Sequence, residues 1–285
     1  MTTVRVLGGP GTGKSSLLFE AAATHIAGGL DPESVLLLTG SGRMAATARG
    51  ALTARLLGET AADLPVLREP LVRSLHSYAF AVLRKAAERA GDPPPRLVTG
   101  AEQDGVIREL LDGDISDGAG AWPRELRPAL SAAGFATQLR DLLARCAERG
   151  IDPAGLQRIG RTSGRPQWVA AGRFAAQYEQ VMLLRASVGT AAPQATVPAL
   201  GAAELVGAAL ETLAVDPELL AAERSRVRLL LVDDAQHLDP QAAELVRVLA
   251  AGADVAMFAG DPNQAVFGFR GADPELLRAD ADQTI

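Results

Sequence analysis

A run of glycines around one lysine has the residue types and spacing of a phosphate site. The residues GGPGTGKSS, from Gly8 to Ser16, fill every fixed position of the pattern G-x-x-x-x-G-K-[ST]. Glycines let the backbone curl until successive N–H groups point at phosphate oxygens, and the start of a following helix adds its positive end. Lys14 then reaches the β- and γ-phosphates, and the Ser15 hydroxyl binds Mg²⁺. The predicted nucleotide contacts are Gly8, Gly9, Pro10, Gly11, Thr12, Gly13, Lys14, Ser15 and Ser16.

Two consecutive carboxylates form the second half of the predicted site. Asp233 and Asp234 directly follow the apolar run LLLV. A carboxylate at the carboxyl end of a neighbouring parallel strand is what a phosphate-binding loop needs to hold Mg²⁺. We therefore expect Asp233 to lie beside Ser15. The alternative interpretation, a pair of solvated loop acids, is disfavoured by the apolar run and by the loop upstream.

Strands and helices must alternate to position these two motifs. Short apolar runs predict buried parallel strands, and longer runs with helical periodicity predict helices between them. The predicted strands are Thr3–Leu7, Ser34–Gly40, Leu71–Ser74, the apolar part of Val227–Leu238, and Asp254–Asp261. The predicted helices are Ser16–Ala27, Arg43–Leu57, His76–Gly91 and Gln241–Gly252. This alternation indicates an α/β fold with a parallel sheet and helices on both faces.

The middle of the chain changes character at about Leu97, where helical periodicity replaces the alternation. Helices are predicted at Glu102–Leu111, Phe135–Gly150 and Gly172–Arg185, and a low-complexity linker at Ser187–Gly201. We therefore predict a domain in two parts, residues 1–96 and 201–285. An all-helical insertion and linker, residues 97–200, interrupts it.

One part of the insertion is basic, although the chain as a whole is acidic. Residues 138–185 hold eight arginines against four acidic residues, whereas the formal net charge of the chain is −6. Any contact with nucleic acid must therefore be local. Arg158, Arg161, Arg165 and Arg173 surround the segment RIGRTSGR, which we expect to be a phosphate-contacting loop. A solvated loop in an arginine-rich protein is the alternative interpretation.

Composition excludes several other classes of protein. A single cysteine, Cys146, excludes an intrachain disulfide framework and is expected in the core because of its helical spacing with Leu139, Leu142 and Leu143. The chain does not open on a secretory signal pattern, and no apolar run is long enough to span a bilayer. We therefore expect a cytoplasmic protein without membrane contact.

Four further segments resemble motifs of superfamily 1A helicases, the UvrD, PcrA, Rep and RecB group. LLLVDDAQHLDPQAAELV resembles the DExQ box, and AGDPNQAVFGFRGAD resembles the motif GDxxQSIYxFRGA. LLLTGSGRMAA is similar to the TxTNKAA motif, and VRSLHSYAFAVLR to the TFHS-type motif. The motifs occur in the family's order, and together with the helical insertion between His76 and Asp233 they cover nearly the whole chain. The segments VDDAQ and GDPNQAVFGFRGADP most resemble actinobacterial helicase–nuclease subunits of the AdnA/AdnB type.

The resemblance implies a RecA-like motor fold and a role for each motif residue. Asp233 would bind Mg²⁺ through water, and Asp234 stands where the family has the glutamate that activates the attacking water. Gln264 would sense the γ-phosphate of ATP and link it to bound DNA. Together with Lys14, these residues form the predicted catalytic set. The predicted DNA contacts are Thr39, His76, Phe267, Phe269 and Arg270.

The sequence departs from the family pattern at several points. Asp234 is one methylene shorter than glutamate, and Gly40 replaces an aromatic residue that often stacks on a base. No upstream glutamine motif for adenine precedes Met1, and the chain ends before the second motor domain, which normally brings transition-state arginines.

We therefore predict the first motor domain of a UvrD-type, ATP-dependent DNA helicase that belongs to a DNA-repair helicase–nuclease. Its expected partners are single-stranded and duplex DNA, the second motor domain of the parent chain and a partner helicase–nuclease subunit. One alternative is a vestigial motor subunit that binds DNA or acts as a scaffold. The other is a P-loop ATPase or kinase for small molecules, although such an enzyme has no use for the segment FGFRGAD.

Overall fold

The computed structural model describes residues 2–59, 69–187, 199–268 and 271–285. The chain divides into two compact units, one made of Met1–Val82 with Ala209–Ile285 and the other of Leu83–Ala208. The predicted functional boundaries at residues 97 and 200 stay a prediction, because this division reflects compactness alone.

A six-stranded parallel sheet forms the centre of the first unit. The strands of the chain are β1 (Thr2–Leu7), β2 (Val35–Thr39), β3 (Val72–Ser74), β4 (Arg96–Leu97), β5 (Ala199–Leu200), β6 (Leu229–Val232), β7 (Val255–Gly260) and β8 (Gln283–Thr284). The sheet has the order β3-β2-β6-β7-β1-β8, and every neighbouring pair is parallel. The carboxyl ends of all six strands therefore lie at one edge.

Helices of the first unit cover both faces of this sheet. The α-helices among the described residues, of which α4 to α7 belong to the second unit, are α1 (Lys14–Ala27), α2 (Gly42–Glu59), α3 (Leu75–Ala90), α4 (Gly100–Ser116), α5 (Ala133–Ala147), α6 (Pro153–Thr162), α7 (Pro166–Ser187), α8 (Leu205–Val215), α9 (Pro217–Arg226), α10 (Pro240–Ala250) and α11 (Glu275–Arg278). Every residue of β2 and β6 is buried. Because successive side chains of a strand point to opposite faces, both faces must be covered. The predicted α/β fold class is confirmed.

The core of one face shows how α1 and α2 pack on the strands. Leu18 of α1 and Leu52 of α2 belong to the same buried cluster as Leu37 of β2 and Leu231 of β6. The two helices therefore lie over the centre of the sheet, and α1 is held directly behind the loop that precedes it.

The second unit is helical and has its own core. Trp122 packs against Phe135 and Phe174, with ring centroids 5.5 and 5.9 Å apart. Cys146 is buried in this core, as expected, and burial raises the pKa of its thiol. The described part of the predicted all-helical insertion is helical, except that β4 and β5 pair in parallel near its two ends. Most of the predicted linker lies outside the described residues.

Candidate functional site

The loop between β1 and α1 has the backbone that phosphate binding requires. Gly13 precedes α1 with φ 88° and ψ 12°, and Gly11 has φ 73°. Non-glycine residues rarely adopt this left-handed region, which explains why glycines stand here. The first N–H groups of α1 have no partner inside the helix and are aimed out of its N-terminus. The predicted phosphate loop therefore lies between a strand and a helix, as expected.

Lys14 lies against this loop rather than extending into solvent. Its Nζ donates hydrogen bonds to the carbonyl oxygens of Gly8 and Gly9, at 2.6 and 2.7 Å. Thr12 Oγ1 also donates to the Gly9 carbonyl, at 2.9 Å. A phosphate oxygen placed in the loop would compete with these carbonyls for the ammonium group. Lys14 would exchange one of these carbonyls for a phosphate oxygen to make a charge-assisted contact.

The predicted partner of the loop, Asp233, is in direct contact with it. Ser15 Oγ donates to Asp233 Oδ1 at 3.0 Å, although the two residues are 218 positions apart. Asp233 is only 7% exposed. Burial raises the pKa of its carboxyl group and the charge of Asp234 adds to this rise, while the hydrogen bond from Ser15 opposes it.

This pair fits Mg²⁺ by its donor chemistry. A hydroxyl oxygen and a carboxylate oxygen are the ligands that Mg²⁺ takes, and a cation would offset the cost of a buried negative charge. Within the described residues, no group of three or more His, Cys, Asp or Glu side chains is arranged to hold a metal.

Asp234 follows in an unusual backbone conformation. Its φ of 52° and ψ of 43° lie in the left-handed region. Its N–H donates to Asp233 Oδ1 at 3.1 Å, and its own Oδ1 accepts from Gln236 Nε2 at 3.1 Å. The side chain of Gln236 therefore holds one of the two oxygens of the Asp234 carboxylate.

Gln236 is a site residue to which the sequence analysis gave no role. It is 3% exposed and connects the segment after β6 with the end of β7, because its Oε1 accepts from the N–H of Asp261 at 3.2 Å. The signal in the sequence is its place in the segment DDAQ, where it matches the glutamine of the DExQ box.

Two of the predicted residues after β7 are described. Gln264 is half-buried and ends a single 3-10 turn, Pro262–Gln264. Phe267 is 40% exposed, and its ring packs on His237 with ring centroids 4.7 Å apart. Burial lowers the pKa of His237, and the charge of Asp234 opposes this effect. Phe269 and Arg270 lie outside the described residues.

The other two predicted DNA contacts lie at the end of β2 and shortly after β3. Thr39 is only 1% exposed, and its hydroxyl donates to the carbonyl of Ser41 at 3.1 Å. A DNA contact by Thr39 stays a prediction, and this burial supports a role in holding its loop rather than direct contact. His76 is half-buried in the first turn of α3. Both residues stand at the same sheet edge as the phosphate loop.

A cavity of about 400 Å³ adjoins the phosphate loop. It is lined by loop residues Thr12, Gly13 and Lys14 and, among others, by Glu20 and Arg55. Arg55 donates to the carbonyl of Ser16 at 3.0 Å and pairs with Glu20 at 3.0 Å. The volume is within the range of small-molecule sites, about 300–1,000 Å³.

Four arginines of the second unit lie on a helical hairpin, with Arg165 in the short turn that joins its two helices. Arg158 and Arg161 belong to α6, whose last turn takes up most of the segment RIGRTSGR, and Arg173 belongs to α7. All four side chains are exposed. The Arg165 guanidinium lies 4.7 Å from the centroid of the Trp168 ring. The loop is shorter than expected, because residues up to Thr162 continue the amphipathic helix α6 and only residues 163–165 form a turn.

Comparison with known proteins gives one family. The family model for the UvrD/REP helicase N-terminal domain matches residues 1–284. A search of curated proteins found no match. In the described part of the chain, no helix has both the length and the apolar character needed to cross a membrane.

Proposed function

Because the chain belongs to the UvrD/REP helicase family, we propose that residues 1–285 are the ATP-binding motor region of an ATP-dependent DNA helicase. The observation that carries this proposal is the contact between Ser15 and Asp233, which brings a metal-binding carboxylate to the phosphate loop. Neither motif alone would be sufficient, since a glycine-rich turn and a loop acid both occur without function.

In this proposal, each residue acts on a different part of the nucleotide. Lys14 and the loop N–H groups hold the phosphates, and Ser15 and Asp233 hold Mg²⁺. Mg²⁺, when bound, would neutralise charge on the β- and γ-phosphate oxygens. The free oxygen of Asp234 accepts a proton from the attacking water, while Gln264 lies next to the γ-phosphate. The cavity beside the loop accommodates the nucleoside.

We further propose that single-stranded DNA crosses the carboxyl edge of the sheet. Phe267 is the described aromatic residue best placed there, because part of its ring is exposed. A base that stacks on such a ring contributes about 1–3 kcal/mol. Phe269, Arg270, His76 and the loop held by Thr39 complete the proposed surface. Duplex DNA would contact the arginines of α6 and α7.

The finer assignments rest on the quoted motifs alone. We propose that the parent protein is a helicase–nuclease subunit of the AdnA/AdnB type, acts in DNA repair in the cytoplasm, and has a second motor domain and a partner subunit. The competing proposal is a vestigial motor that binds DNA or acts as a scaffold. Asp234 and Gly40 favour that alternative, because both depart from the family pattern.

Calorimetry of Mg·ATP binding tests the proposal, with Lys14→Ala as the variant and Lys85→Ala as its matched control. Lys85 is the only other lysine of the chain and lies on α3, outside the loop. A hydrogen bond to a charged group contributes about 1.5–3 kcal/mol, so the Kd should rise roughly ten- to a hundred-fold in Lys14→Ala only. Equal affinity in all three proteins would refute the nucleotide site.

A further inference from the structure

The side chain of Gln236 joins two segments that leave the sheet at neighbouring strands. Gln236 lies in the 3-10 turn Ala235–His237, directly after the carboxylates at the end of β6. Its amide reaches back to Asp234 and across to Asp261, the residue that follows β7. The two strands are paired in register, so the amide bridges a short gap at the carboxyl edge of the sheet.

The chemistry of its neighbours dictates which way this amide points. A backbone N–H can only donate, so the amide oxygen must face Asp261, and a carboxylate accepts, so the NH₂ group faces Asp234. Gln236 is almost fully buried, which means that water cannot replace either bond without cost. A Cβ at Gly260 would overlap Gln236 Oε1, so glycine at the end of β7 permits this close approach.

The segment on the far side of the bridge carries the residues expected to sense γ-phosphate and DNA. The Asp261 carbonyl accepts from Gln264 N–H at 2.9 Å, so the position of Asp261 governs where Gln264 stands. The same two segments meet again where His237 packs on Phe267, and where Asp273 N–H donates to the Leu238 carbonyl at 2.7 Å.

We propose that Gln236 is a positioning residue that sets the Asp234 carboxylate relative to the segment of Gln264 and Phe267. Movement of that segment on binding single-stranded DNA is transmitted through the amide to the residue that orients the attacking water. The inference rests on the proposed function of Asp234 and extends it to a residue that touches neither ATP nor DNA.

The first test replaces Gln236 by glutamate, which has the same shape but no NH₂ donor. Gln236→Glu should bind ATP within twofold of wild type, whereas its single-turnover hydrolysis rate, with protein in excess, should fall at least tenfold. In wild type, the Kd for oligothymidylate should differ at least fivefold between protein with and protein without a non-hydrolysable ATP analogue. In Gln236→Glu, the ratio of these two Kd values should approach one. Gln241→Glu, the same charge change on α10, is the matched control and should behave as wild type.

A double variant separates positioning from general damage to the fold. Asp234→Asn combined with Gln236→Glu exchanges donor and acceptor. The NH₂ group of residue 234 then donates to the carboxylate of residue 236, which still accepts from the Asp261 N–H. The coupling ratio between ATP analogue and oligothymidylate should return to the wild-type value, while hydrolysis stays lost because residue 234 has no carboxylate. The double variant also decides the matter if Gln236→Glu alone does not fold. A double variant as uncoupled as the single variant would overturn the proposal.

The single variant Asp234→Asn distinguishes failure of this inference from failure of the proposed function. Wild-type hydrolysis in Asp234→Asn would mean that Asp234 does not orient the water, which contradicts the proposed function itself. Loss of hydrolysis in Asp234→Asn together with wild-type rate and coupling in Gln236→Glu would contradict only the role of Gln236.

Discussion

Asp234 combines a short carboxylate with a left-handed backbone, and the two properties explain each other. Aspartate tolerates this region better than most residues because its short side chain can bond locally. Here the carboxylate accepts from Gln236, while the N–H donates to Asp233. The aspartate at this position, where the family has glutamate, is therefore consistent with the local geometry. Aspartate adopts the left-handed backbone conformation more readily than longer side chains do.

At the scale of a single residue, we expect Asp234→Glu to destabilise the fold and not to restore ATP hydrolysis. A left-handed conformation costs most L-residues about 1–2 kcal/mol, and glutamate lacks aspartate's local compensation, so the free energy of unfolding should fall by about 1 kcal/mol. Urea denaturation measures this change. Asp112→Glu, an exposed position on α4, is the control and should have no measurable effect. A more stable Asp234→Glu protein would show that the backbone accommodates glutamate without strain.

The hairpin of α6 and α7 is the element whose charge differs most from that of the chain. Residues 153–178 contain four arginines and no acidic residue, whereas the formal net charge of the chain is −6. The four arginines are exposed, and Arg158 forms an exposed ion pair with Asp152, the residue just before this segment, with Nη2 and Oδ1 3.8 Å apart. Trp168 beneath Arg165 adds an aromatic surface to the same hairpin. An anionic backbone such as that of duplex DNA complements this combination.

We expect the triple variant Arg158→Gln, Arg161→Gln, Arg173→Gln to reduce the salt dependence of DNA binding. Each lost phosphate contact lowers the slope of log K against log salt by about 0.7–0.9, so three should lower it by roughly 2 to 3. The matched control replaces three exposed arginines of the same unit by glutamine, Arg84, Arg108 and Arg124. If both triple variants give the same slope, the hairpin is a solvated surface without a special role.

On the scale of the whole molecule, parallel strands bring every motif of the first unit to one edge of its sheet. The phosphate loop, Asp233, Asp261 and the residues after β2 and β3 follow strand ends that the register aligns. The family model that matches the chain describes an N-terminal domain. The transition-state arginines that the resemblance implies belong to a second motor domain. Residues 1–285 would therefore hold the nucleotide without the whole catalytic set.

We therefore expect residues 1–285 to bind ATP tightly, hydrolyse it very slowly and unwind no DNA. Arginines that stabilise the γ-phosphoryl transition state contribute about 10³- to 10⁵-fold in rate. Single-turnover assays with labelled ATP, with and without single-stranded DNA, measure the rate, and the Lys14→Ala protein reports any contaminating ATPase. Rapid DNA-stimulated hydrolysis by this chain would show that one domain suffices.

Local patterns in the sequence determined much of the fold and half of the site. The phosphate loop needs only eight neighbouring residues, and the apolar runs before Asp233 and after Ser34 predict buried strands by composition alone. The rule that parallel strands end at one edge then sufficed to place Asp233 beside Ser15. These features were predictable because backbone preference and side-chain pattern agree within short windows.

Tertiary structure alone decided the remainder, because it depends on contacts between distant segments. The two residues of β8 form a strand only because they pair with β1. The sequence around them has no local pattern that predicts a strand. Thr39 belongs to a motif expected to contact DNA, but its burial follows from its place beside β3. The role of Gln236 is visible only once Asp261, 25 residues away, lies within hydrogen-bond reach. A side chain's partners across a sheet are set by packing, which no single window of sequence contains.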